Sequence, residues 1–553
     1  MAAFSAPPAT GTIHAILRRH AEDGPARPAL SFLRDGGDDG AEILTYGELL
    51  RQAEDLAGRL RQLRGERVML LHPPGREFVV AFCACLIAGV TAVPLHPPTT
   101  RRLQERLQRI VADCSPSLLL TTAAAQPRLA AISDATGLPV LVDASTAPDG
   151  EPLDGPPVDD RTPAFLQYTS GSTGDPKGVV VTHGNLLCDS MAIAAGFGTH
   201  REDVGVSWLP LHHDMGLVGS VADVLLRGMH WAHMTPEAMV RKPLRWLRAI
   251  STYRATISGG PDFAWRLLAE RVAPSDLAGL DLSCWRVAYS GAEPVRPDTL
   301  RRVAALLAPT GFRAESFLPC YGLAEATLMV SAGPAGRLPL LVPSPEDGIE
   351  RVACGRPVPE DAVAIVDPDR GIRRPDGSVG EVWVSGGHVA AGYWGRPALS
   401  EAVFGARLAG DPRRWLRTGD LGFIADRQLC IAGRIKDLLI VNGRKYHPED
   451  IETTVQTKVA ACTGGSCAAF QTDADQRLGL AIELTRIPDD EAARADIAAC
   501  VRQAVWAEHG IQPDLVLFER VGRLPRTTSG KVRRSACADR LRDGGWSAAG
   551  VPA

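Results

Sequence analysis

The chain has 553 residues, of which 45% are hydrophobic and 22% charged, with a formal net charge of -4 and an isoelectric point near 6.4. A chain of this length exceeds one compact core, so two or more domains are expected. The near-neutral charge gives no electrostatic reason to expect nucleic acid as a partner. The twelve cysteines include no Cys-x-x-Cys pair, which argues against structural zinc and favours a reduced, cytoplasmic setting.

The first part of the chain alternates short apolar strands with amphipathic helices, as parallel α/β sheets do. The patterns predict strands at 28–33, 67–71, 92–95, 118–121 and 140–143, a helix after Thr45 and another near 101–113. The uncharged run 78–95 is long enough to be a membrane-span candidate, but Gly89 and Thr91 divide it. We therefore predict a core helix followed by a buried strand, and no membrane span.

A stretch rich in glycine and hydroxyl residues lies between the apolar runs 164–168 and 179–181. Residues 168–178 read Tyr-Thr-Ser-Gly-Ser-Thr-Gly-Asp-Pro-Lys-Gly. Backbone N–H groups in such a turn converge on an anion, hydroxyls add donors, and a lysine neutralises part of the charge. This pattern favours a phosphate-binding loop, with a flexible linker as the alternative. The candidate phosphate-binding residues are Thr169, Ser170, Gly171, Ser172, Thr173, Gly174 and Lys177.

The strand–helix alternation continues beyond this loop. Thr182 is a candidate N-cap for a helix from His183, and the patterns predict strands at 204–209, 255–257 and 286–289 with helices near 216–226 and 243–251. The last two of these strands end in the small-residue clusters 258–261 and 290–293. Ligands of parallel sheets lie beyond the carboxyl ends of strands, so these clusters indicate a planar or phosphorylated ligand, with a plain turn as the alternative at each.

The composition of the chain changes after about residue 335, where glycine and proline become frequent and the predicted strands become short. A small β-rich subdomain is predicted up to residue 433, with strands at 362–367, 379–386, 421–424 and 429–432. From about residue 437 a smaller α+β pattern follows, with strands at 467–471, 478–484 and 515–518 and one long helix at 491–509. The glycine- and alanine-rich tail, 542–553, is expected to be disordered.

Five further stretches follow the loop in a fixed order. They are Trp-Leu-Pro-Leu-His-His-Asp-Met-Gly-Leu at 208–217, Tyr-Gly-Leu-Ala-Glu-Ala-Thr at 321–327, Arg-Thr-Gly-Asp at 417–420, Gly-Arg-Ile-Lys-Asp at 433–437, and Leu-Pro-Arg-Thr-Thr-Ser-Gly-Lys at 524–531. With the loop, this set resembles the superfamily of adenylate-forming enzymes, which includes acyl-CoA synthetases, nonribosomal adenylation domains and luciferases. The sequences at 208–217, 258–264 and 321–327 are most similar to the corresponding motifs of the fatty acyl-AMP ligases.

The resemblance implies a two-step reaction and a two-domain fold. A carboxylic acid, of the fatty-acid class, is activated with ATP and Mg²⁺ to acyl-AMP, pyrophosphate leaves, and the acyl group passes to the phosphopantetheine thiol of a holo acyl carrier protein. The implied fold is α/β: an N-terminal adenylation domain of doubly wound parallel sheets at 1–433, including the β-rich subdomain. A hinge at 434–437, containing Lys436, then leads to a small, mobile α+β C-terminal domain at 438–541.

The resemblance also implies roles for single residues. Lys531 is expected to align the carboxylate and the α-phosphate during adenylation, and Glu325 is expected to hold Mg²⁺; read without the family, both are surface charges. Asp420 offers two acceptors for the ribose diol, since a carboxylate can accept from both hydroxyls. The other residues implied for the nucleotide are Gly291, Ala292, Glu293, Tyr321, Gly322 and Arg434.

The acyl group is expected in an apolar tunnel that the resemblance assigns to residues around 208–217 and 258–265. These residues are Trp208, His212, His213, Asp214, Met215, Gly216, Gly260, Asp262, Phe263 and Trp265. A core-packing role is the alternative for His213. The fatty acyl-AMP ligases mostly have tyrosine at the position of His212 and asparagine at that of Asp262, which leaves the identity of the acyl group open. In nonribosomal relatives an aspartate near this place holds a substrate amine, so the resemblance makes Asp214 or Asp262 a candidate selector of an amino or hydroxy acid.

Two alternative functions stay open on the sequence. Fatty acyl-AMP ligases carry an inserted segment that is tied to poor use of coenzyme A, and the distance from Thr327 to Gly355 leaves room for only a short one. An acyl-CoA synthetase, or an enzyme that adenylates amino or hydroxy acids, is therefore the first alternative. A catalytically inactive adenylate-binding module is the second, and the presence of Lys177, Glu325 and Lys531 argues against it.

Overall fold

The structure is a computed structural model that describes residues 12–34, 40–143, 158–170, 176–441, 444–472, 477–526, 531–546 and 550–552. The chain divides into two compact units. Unit 1 contains residues 1–418 and 423–431, and unit 2 contains residues 419–422 and 432–553. Within the described ranges, no helix combines the length and the apolar character needed to cross a membrane.

The helices and strands have the following bounds. The helices are α1 (Ile13–Asp23), α2 (Tyr46–Leu60), α3 (Arg76–Ala88), α4 (Arg101–Cys114), α5 (Ala130–Thr136), α6 (His183–Phe197), α7 (Asp214–Leu217), α8 (Asp223–Arg227), α9 (Pro236–Arg241), α10 (Leu244–Tyr253), α11 (Asp262–Arg271), α12 (Pro297–Leu307), α13 (Pro397–Phe404), α14 (Pro448–Lys458), α15 (Glu491–His509) and α16 (Arg534–Arg542). The strands are β1 (Pro28–Leu33), β2 (Ala41–Thr45), β3 (Arg67–Leu71), β4 (Thr91–Leu95), β5 (Leu118–Thr121), β6 (Val140–Val142), β7 (Pro163–Ser170), β8 (Pro176–Thr182), β9 (Val204–Ser207), β10 (His230–His233), β11 (Ile257–Gly260), β12 (Val287–Ser290), β13 (Phe317–Pro319), β14 (Tyr321–Gly322), β15 (Met329–Ala332), β16 (Leu341–Pro343), β17 (Glu350–Val352), β18 (Arg356–Pro357), β19 (Val363–Val366), β20 (Gly380–Val384), β21 (Gly392–Tyr393), β22 (Ala406–Arg407), β23 (Arg414–Ala425), β24 (Gln428–Arg434), β25 (Leu439–Val441), β26 (Arg444–Tyr446), β27 (Cys467–Gln471), β28 (Leu478–Leu484), β29 (Leu515–Arg520) and β30 (Gly550–Pro552).

Two seven-stranded sheets form the centre of unit 1. In the first sheet the strand order is β13-β12-β11-β9-β10-β1-β2, and its pairs are parallel except β1 with β2. In the second the order is β21-β8-β7-β4-β3-β5-β6, where β21, β8 and β7 pair antiparallel and the other strands pair parallel. The predicted α/β class with parallel sheets is therefore confirmed.

The apolar run 78–95 is occupied by most of α3 and by β4. α3 is buried from Phe78 to its last residue and ends where Gly89 takes φ 68°, a left-handed conformation that glycine adopts at little cost. β4 is buried along its whole length. The interpretation of this run as a core helix followed by a buried strand, instead of a membrane span, is confirmed.

Four strands of the first sheet bring the predicted site segments to one edge. The strands β13, β12, β11 and β9 are neighbours and run parallel, so their carboxyl ends lie at the same edge. The segments that follow them begin at residues 320, 291, 261 and 208. Three of these segments contain the residues predicted for adenine and the acyl group, and the fourth leads into the glutamate loop.

The region after β15 consists of small antiparallel sheets. β16 pairs with β17 within the segment between Thr327 and Gly355, and β19, β20, β23, β22 and β24 form a five-stranded sheet. The boundary between units 1 and 2 falls within β23 and β24. The predicted domain limits and the hinge at 434–437 stay predictions.

Unit 2 has its own sheet and core. The strand order is β27-β28-β29-β30, and α14 and α15 contribute Ile451 and Val501 to a core that also contains Leu480 and Phe518. β30 pairs antiparallel with β29. The disorder expected for 542–553 therefore does not extend to residues 550–552, because they add an edge strand to this sheet.

The cysteines all lie in described ranges, and none of the twelve forms a disulfide. Eight of them are buried, and burial raises the pKa of Cys83 to about 12 and that of Cys114 to about 11. Cys500, on α15, is exposed. Since the thiolate is the reactive form, the buried thiols are poor nucleophiles at neutral pH.

Candidate active site

The predicted phosphate loop is the tip of an antiparallel hairpin formed by β7 and β8. Thr169 stands opposite Lys177 in this pairing, and the register continues to Ser170 opposite Pro176. The strands predicted on both sides of the loop are thus present. Gly171, Ser172, Thr173 and Gly174 lie outside the described residues, as does the side chain of Ser170.

A hydrogen-bonded group braces the base of this hairpin. The hydroxyl of Tyr168 donates to Asp113 Oδ2 at 2.6 Å, and the guanidinium of Arg396 donates to Asp113 Oδ1 at 2.9 Å. The same guanidinium donates to the carbonyl of Pro176 at 3.2 Å, at the start of β8. The position of the hairpin is therefore set by α4 on one side and by the residues after β21 on the other.

A segment that we name the strap, residues 387–394, joins the phosphate hairpin to the glutamate loop. On the hairpin side, β21 pairs with β8, with Tyr393 opposite Val179, and the Trp394 N–H donates to the Gly178 carbonyl at 2.8 Å. On the other side, the Ala390 N–H donates to the carbonyl of Glu325 at 3.0 Å. One short segment thus hydrogen-bonds to both predicted phosphate and metal loops.

The glutamate loop is a single helical turn, Ala324–Ala326, followed by a strained residue. Thr327 has φ 64° and ψ -61°, and the Leu328 N–H donates to the Ala326 carbonyl at 2.7 Å, which makes a γ-turn of the rare, strained kind. The Thr327 hydroxyl donates to the His388 carbonyl at 2.6 Å. Asp189 of α6 accepts from the Met329 N–H at 2.7 Å, and burial raises the pKa of this carboxyl well above its usual range. The strap and α6 therefore hold the turn from both sides.

The side chains of Lys177, Tyr393 and Glu325 meet where the strap passes between the two loops. The Tyr393 hydroxyl donates to Glu325 Oε1 at 2.9 Å, and Lys177 Nζ lies 5.4 Å from the centroid of the Tyr393 ring. Burial and the neighbouring carboxylate raise the pKa of Tyr393, so the phenol stays protonated and acts as a donor. A predicted phosphate-binding lysine and the predicted magnesium ligand thus both contact a residue that the sequence did not single out.

The segment predicted for adenine follows β12. Ala292 has φ 64°, and the carboxylate of Glu293 accepts from the Phe263 N–H at 3.2 Å, which connects this segment to the start of α11. The Cys320 N–H donates to the Ser290 carbonyl at 2.9 Å, so Tyr321 and Gly322 of β14 begin directly beside this segment. The predicted adenine residues are therefore contiguous in space, at the carboxyl ends of β12 and β13.

The predicted ribose pair lies in unit 2. Arg434 Nε donates to Asp420 Oδ1 at 2.8 Å, with the Asp420 side chain 5% exposed and the Arg434 side chain 61% exposed. The structure therefore brings together two residues that the sequence paired only by their order. Lys436 is exposed, on the helical turn Ile435–Asp437 directly after β24.

Lys531 also lies in unit 2, where it is exposed and precedes α16. A β-bridge between Arg526 and Val532 closes the base of its loop, and the Arg533 N–H donates to the Pro525 carbonyl at 2.8 Å. Residues 527–530, which complete the predicted motif, lie outside the described residues. Arg526 is held by Glu483 Oε2 at 2.7 Å, so the start of the loop is anchored to β28.

Trp208 and Phe263 are in contact at the predicted acyl segment. Their ring centroids are 5.8 Å apart in an edge-to-face arrangement, and Trp208 is 2% exposed. A Cβ on Gly260 would overlap the Trp208 ring, so glycine is required by this close approach. Met215 packs against the core beside this group, and Gly216 is buried at the same segment.

Three histidines cluster at the same segment. The ring of His212 lies 5.6 Å from that of His96 and 4.7 Å from that of His213. Burial, with the charges of neighbouring histidines, lowers the pKa of His212 well below its usual range. His212 is therefore neutral at pH 7, and a neutral imidazole offers one donor and one acceptor. Asp214, the first residue of α7, accepts from the Met215 N–H at 2.8 Å.

Two residues predicted for the acyl tunnel are buried and contact neighbouring elements of unit 1. Asp262 is 3% exposed, and its carboxylate accepts from the Arg296 N–H at 3.0 Å and the Thr299 hydroxyl at 3.3 Å. It therefore hydrogen-bonds to the start of α12, and its predicted role in selecting an amino or hydroxy acid stays a prediction. Trp265 is fully buried and stacks on Trp285 at 5.5 Å, within a group of aromatic side chains.

This arrangement, a phosphate hairpin beside a carboxylate and small-residue loops at the carboxyl ends of parallel strands, is typical of nucleotide-dependent α/β enzymes. The family described as AMP-binding enzyme matches residues 17–394, and the family described as Disco-interacting protein 2-like, AMP domain, matches residues 436–547. The chain therefore belongs to the AMP-binding enzyme family.

Individual relatives support the narrower group. The chain is 35% identical to the medium-chain fatty acid–acyl-carrier-protein ligase JamA of Moorena producens, over 97% of this chain and 96% of that protein. It is 36% identical to the 4-hydroxyphenylalkanoate adenylyltransferase of Mycobacterium marinum, over 96% and 91%. The fatty acyl-adenylate ligase of L. pneumophila, solved with acyl adenylate and pyrophosphate, aligns with a TM-score of 0.73 and 34% identity over 96% of both chains. The resemblance to fatty acyl-AMP ligases and the prediction of an adenylate-forming ligase are confirmed.

Proposed function

We propose that this chain activates a fatty acid with ATP to acyl-AMP, releases pyrophosphate, and transfers the acyl group to the phosphopantetheine thiol of an acyl carrier protein. The observation that carries the proposal is the group formed by Lys177, Tyr393 and Glu325. It brings a cation and a carboxylate to the same tyrosine side chain, beside a phosphate-type hairpin. Charged phosphates and a charged carboxylate have to meet in this reaction, so positioned charges matter more than an acid or a base.

In the first step the substrate carboxylate attacks the α-phosphate of ATP and pyrophosphate leaves. The hairpin residues Thr169 and Lys177, with the loop between them, hold the β- and γ-phosphates and then pyrophosphate. A lysine serves here as a point charge. Lys531 aligns the carboxylate with the α-phosphate, which lowers the barrier by positioning and by stabilising the developing charge.

Glu325 suits a magnesium ion. Its carboxylate is half-buried and its Oε1 is oriented by a hydroxyl donor, and carboxylate oxygen is a preferred magnesium ligand. Among the residues that the structure describes, no group of three or more His, Cys, Asp or Glu side chains is placed to hold a metal. Magnesium bound with nucleotides usually takes one or two carboxylates plus phosphates and waters, and when bound it screens the phosphate charge.

The nucleoside is bound by the residues predicted for adenine and for the ribose. Gly291, Ala292 and Tyr321 lie against adenine, where small residues leave room for a flat base. Asp420 accepts the ribose hydroxyls, and Arg434, already bonded to Asp420 at 2.8 Å, orients that carboxylate. The acyl chain lies along Trp208 and Phe263.

An acid with a hydroxyl group is the second candidate substrate. The observation that favours it is the cluster of His96, His212 and His213 at the acyl segment, because the neutral imidazole of His212 can hydrogen-bond a hydroxyl. The relative from M. marinum is named for hydroxyphenylalkanoates.

The carrier protein is preferred over coenzyme A as the acceptor because JamA is named as an acyl-carrier-protein ligase. The free cysteines are compatible with a reducing cytoplasm as the place of reaction.

A pyrophosphate-release assay over medium-chain, long-chain and hydroxyphenyl acids tests the first step. The acceptor is tested by competition between coenzyme A and a holo carrier protein for the acyl-adenylate formed. We expect release with a medium- or long-chain acid and transfer to the carrier protein. Fast formation of acyl-CoA would show that coenzyme A, and not the carrier protein, is the acceptor. Absence of pyrophosphate release with every acid would favour an inactive adenylate-binding module.

A further inference from the structure

Tyr393 hydrogen-bonds to the carboxylate that is proposed to hold magnesium, although 67 residues separate the two in the chain. Its hydroxyl donates to Glu325 Oε1 at 2.9 Å, and the residue is 9% exposed. The face of its ring lies 5.4 Å from Lys177 Nζ. A single side chain therefore contacts both the proposed metal ligand and the proposed phosphate cation.

The backbone of Tyr393 is held by the same two loops. It pairs with Val179, two residues after Lys177, and three residues earlier in the strap the Ala390 N–H donates to the Glu325 carbonyl. Asn185 of α6 fixes the start of the strap by donating to the carbonyls of Gly387 and Val389 at 2.8 and 2.9 Å. The backbone that carries the ring is therefore tied to both the hairpin and the glutamate loop.

A hydrogen bond to a carboxylate that binds a metal affects the affinity for that metal. A partner that hydrogen-bonds to a ligating carboxylate fixes its orientation, and removing such a partner typically costs 10- to 100-fold in metal affinity or activity. A carboxylate has about four acceptor positions, so one hydroxyl bond is compatible with a metal contact. An aromatic face beside an ammonium group attracts it and limits where it points.

We infer that Tyr393 is a positioning residue for the adenylation site. Its hydroxyl orients the Glu325 carboxylate toward magnesium, and its ring limits where the Lys177 ammonium group points. The inference rests on the proposed function. Tyr393 contacts neither a reacting atom nor, by this inference, the metal itself. Its effect passes through Glu325 and, through the ring face, through Lys177.

Metal binding tests this inference directly. Binding of Mn²⁺ is measured by electron paramagnetic resonance on the full chain with α,β-methylene-ATP, for the parent and for Tyr393→Phe. We expect the variant to bind Mn²⁺ about 10-fold more weakly and to need about 10-fold more Mg²⁺ for half-maximal pyrophosphate release. The matched control is Tyr46→Phe, which also removes a buried tyrosine hydroxyl, one that donates to the Met229 carbonyl at 2.7 Å outside the site.

Two further variants keep the test decisive. In a Glu325→Gln background, Tyr393→Phe should add little to the loss of Mn²⁺ affinity, because the partner it orients has already been changed. Tyr393→Leu, which also removes the ring, should raise the KM for ATP beyond that of Tyr393→Phe. Mn²⁺ affinity equal to that of Tyr46→Phe, or the same loss with and without Glu325, would overturn the inference. A parent without pyrophosphate release would defeat the proposed function, while the Mn²⁺ measurement would still test Tyr393.

Discussion

Glu325 and Lys531, the two charged groups assigned to the adenylation step, are held in opposite ways. Glu325 is half-buried, its side chain accepts from Tyr393, and its carbonyl accepts from Ala390. Lys531 is exposed and directly follows residues 527–530, which lie outside the described residues, while a β-bridge joins Arg526 to Val532. The carboxylate is thus oriented by neighbouring residues, whereas the lysine side chain is exposed to solvent.

This difference matches the tasks proposed for the two residues. A metal ligand gains affinity when its orientation is fixed before the ion arrives. A group that acts in only one of two half-reactions benefits from a loop that can be delivered and withdrawn. Changes on the Glu325 side should therefore alter metal and nucleotide binding, and changes at Lys531 should alter one chemical step.

Replacing Lys531 by alanine should have the largest effect. We expect adenylation, measured by ATP–pyrophosphate exchange, to fall on the order of 10²- to 10³-fold, because one electrostatic stabiliser of the transition state is lost. Transfer from preformed acyl-AMP to the carrier protein should change far less. Arg533→Ala is the control for loss of a neighbouring charge, and equal losses in both half-reactions would contradict a role confined to the first.

Arg534→Met should remove an ion-pair cluster at the start of α16, the helix that follows Lys531. Arg534 Nε donates to Glu452 Oε1 at 2.7 Å, and the guanidinium also pairs with Asp437 and Glu449 at 2.9 Å. Without it Glu452, whose side chain is 9% exposed, is left as a buried charge, which costs about 3 kcal/mol. Hydrogen exchange of β28 on the full chain should accelerate in this variant and not in Arg533→Met. Unchanged protection would show that the cluster adds little to unit 2.

Asp262→Asn should change how stability depends on pH. Burial raises the pKa of Asp262 from its ordinary 3.8 to about 6, against the opposing Arg296 N–H bond. The folded state therefore holds this proton more tightly, so its stabilising contribution is present below about pH 4 and is lost as pH rises through about 6. The shift limits this loss to about 3 kcal/mol, and we expect about 2 kcal/mol.

Thermal unfolding of the parent and of Asp262→Asn, compared between pH 4 and pH 7, measures this difference. Asparagine keeps an acceptor for the Arg296 N–H and does not titrate. The variant should therefore gain stability relative to the parent as pH rises. Parallel curves would mean that Asp262 stays ionised in the folded protein throughout this range. Unchanged acid specificity in the same variant would agree with its role as a helix cap.

Tyr168→Phe should have the smallest effect and provides the sharpest contrast with Tyr393. It removes a hydroxyl that donates to Asp113 at 2.6 Å at the base of the same hairpin, while Arg396 still pairs with that carboxylate. We expect about 1 kcal/mol of lost stability, read as a lower unfolding temperature. Mn²⁺ affinity should stay at the parent value; a loss as large as that of Tyr393→Phe would mean that any loosening of the hairpin weakens the metal site.

The sequence predicted most elements of unit 1 because local signals were strong. The hydroxyl of Thr182 accepts from the Asn185 N–H as the cap of α6, and β1, β3 and β5 have the expected bounds. The strap could not be predicted in this way. Its strand β21 has two residues, and it exists only because a distant hairpin offers an edge.

The site was predictable in its motifs but not in its contacts. The pairing of Asp420 with Arg434 followed from their order in the family pattern, and the structure places them in contact. The contact of Asp262 with the start of α12 could not be predicted, because a carboxylate near a substrate segment and one that bonds to a neighbouring helix look the same in sequence. Tyr393 has one clue, its place in the Gly-Tyr-Trp that follows a run of small residues, but its partner Glu325 is defined only by the tertiary fold.

The distribution of thiols on this chain allows unit 2 to be labelled with a reporter group. Cys500 is exposed on α15, while eight of the other cysteines are buried. A maleimide dye or a nitroxide should therefore attach to Cys500 first, without any cysteine being removed. One reporter on the unit that carries Lys531 would then follow its environment through ATP binding, adenylation and thioester formation in the unmodified sequence.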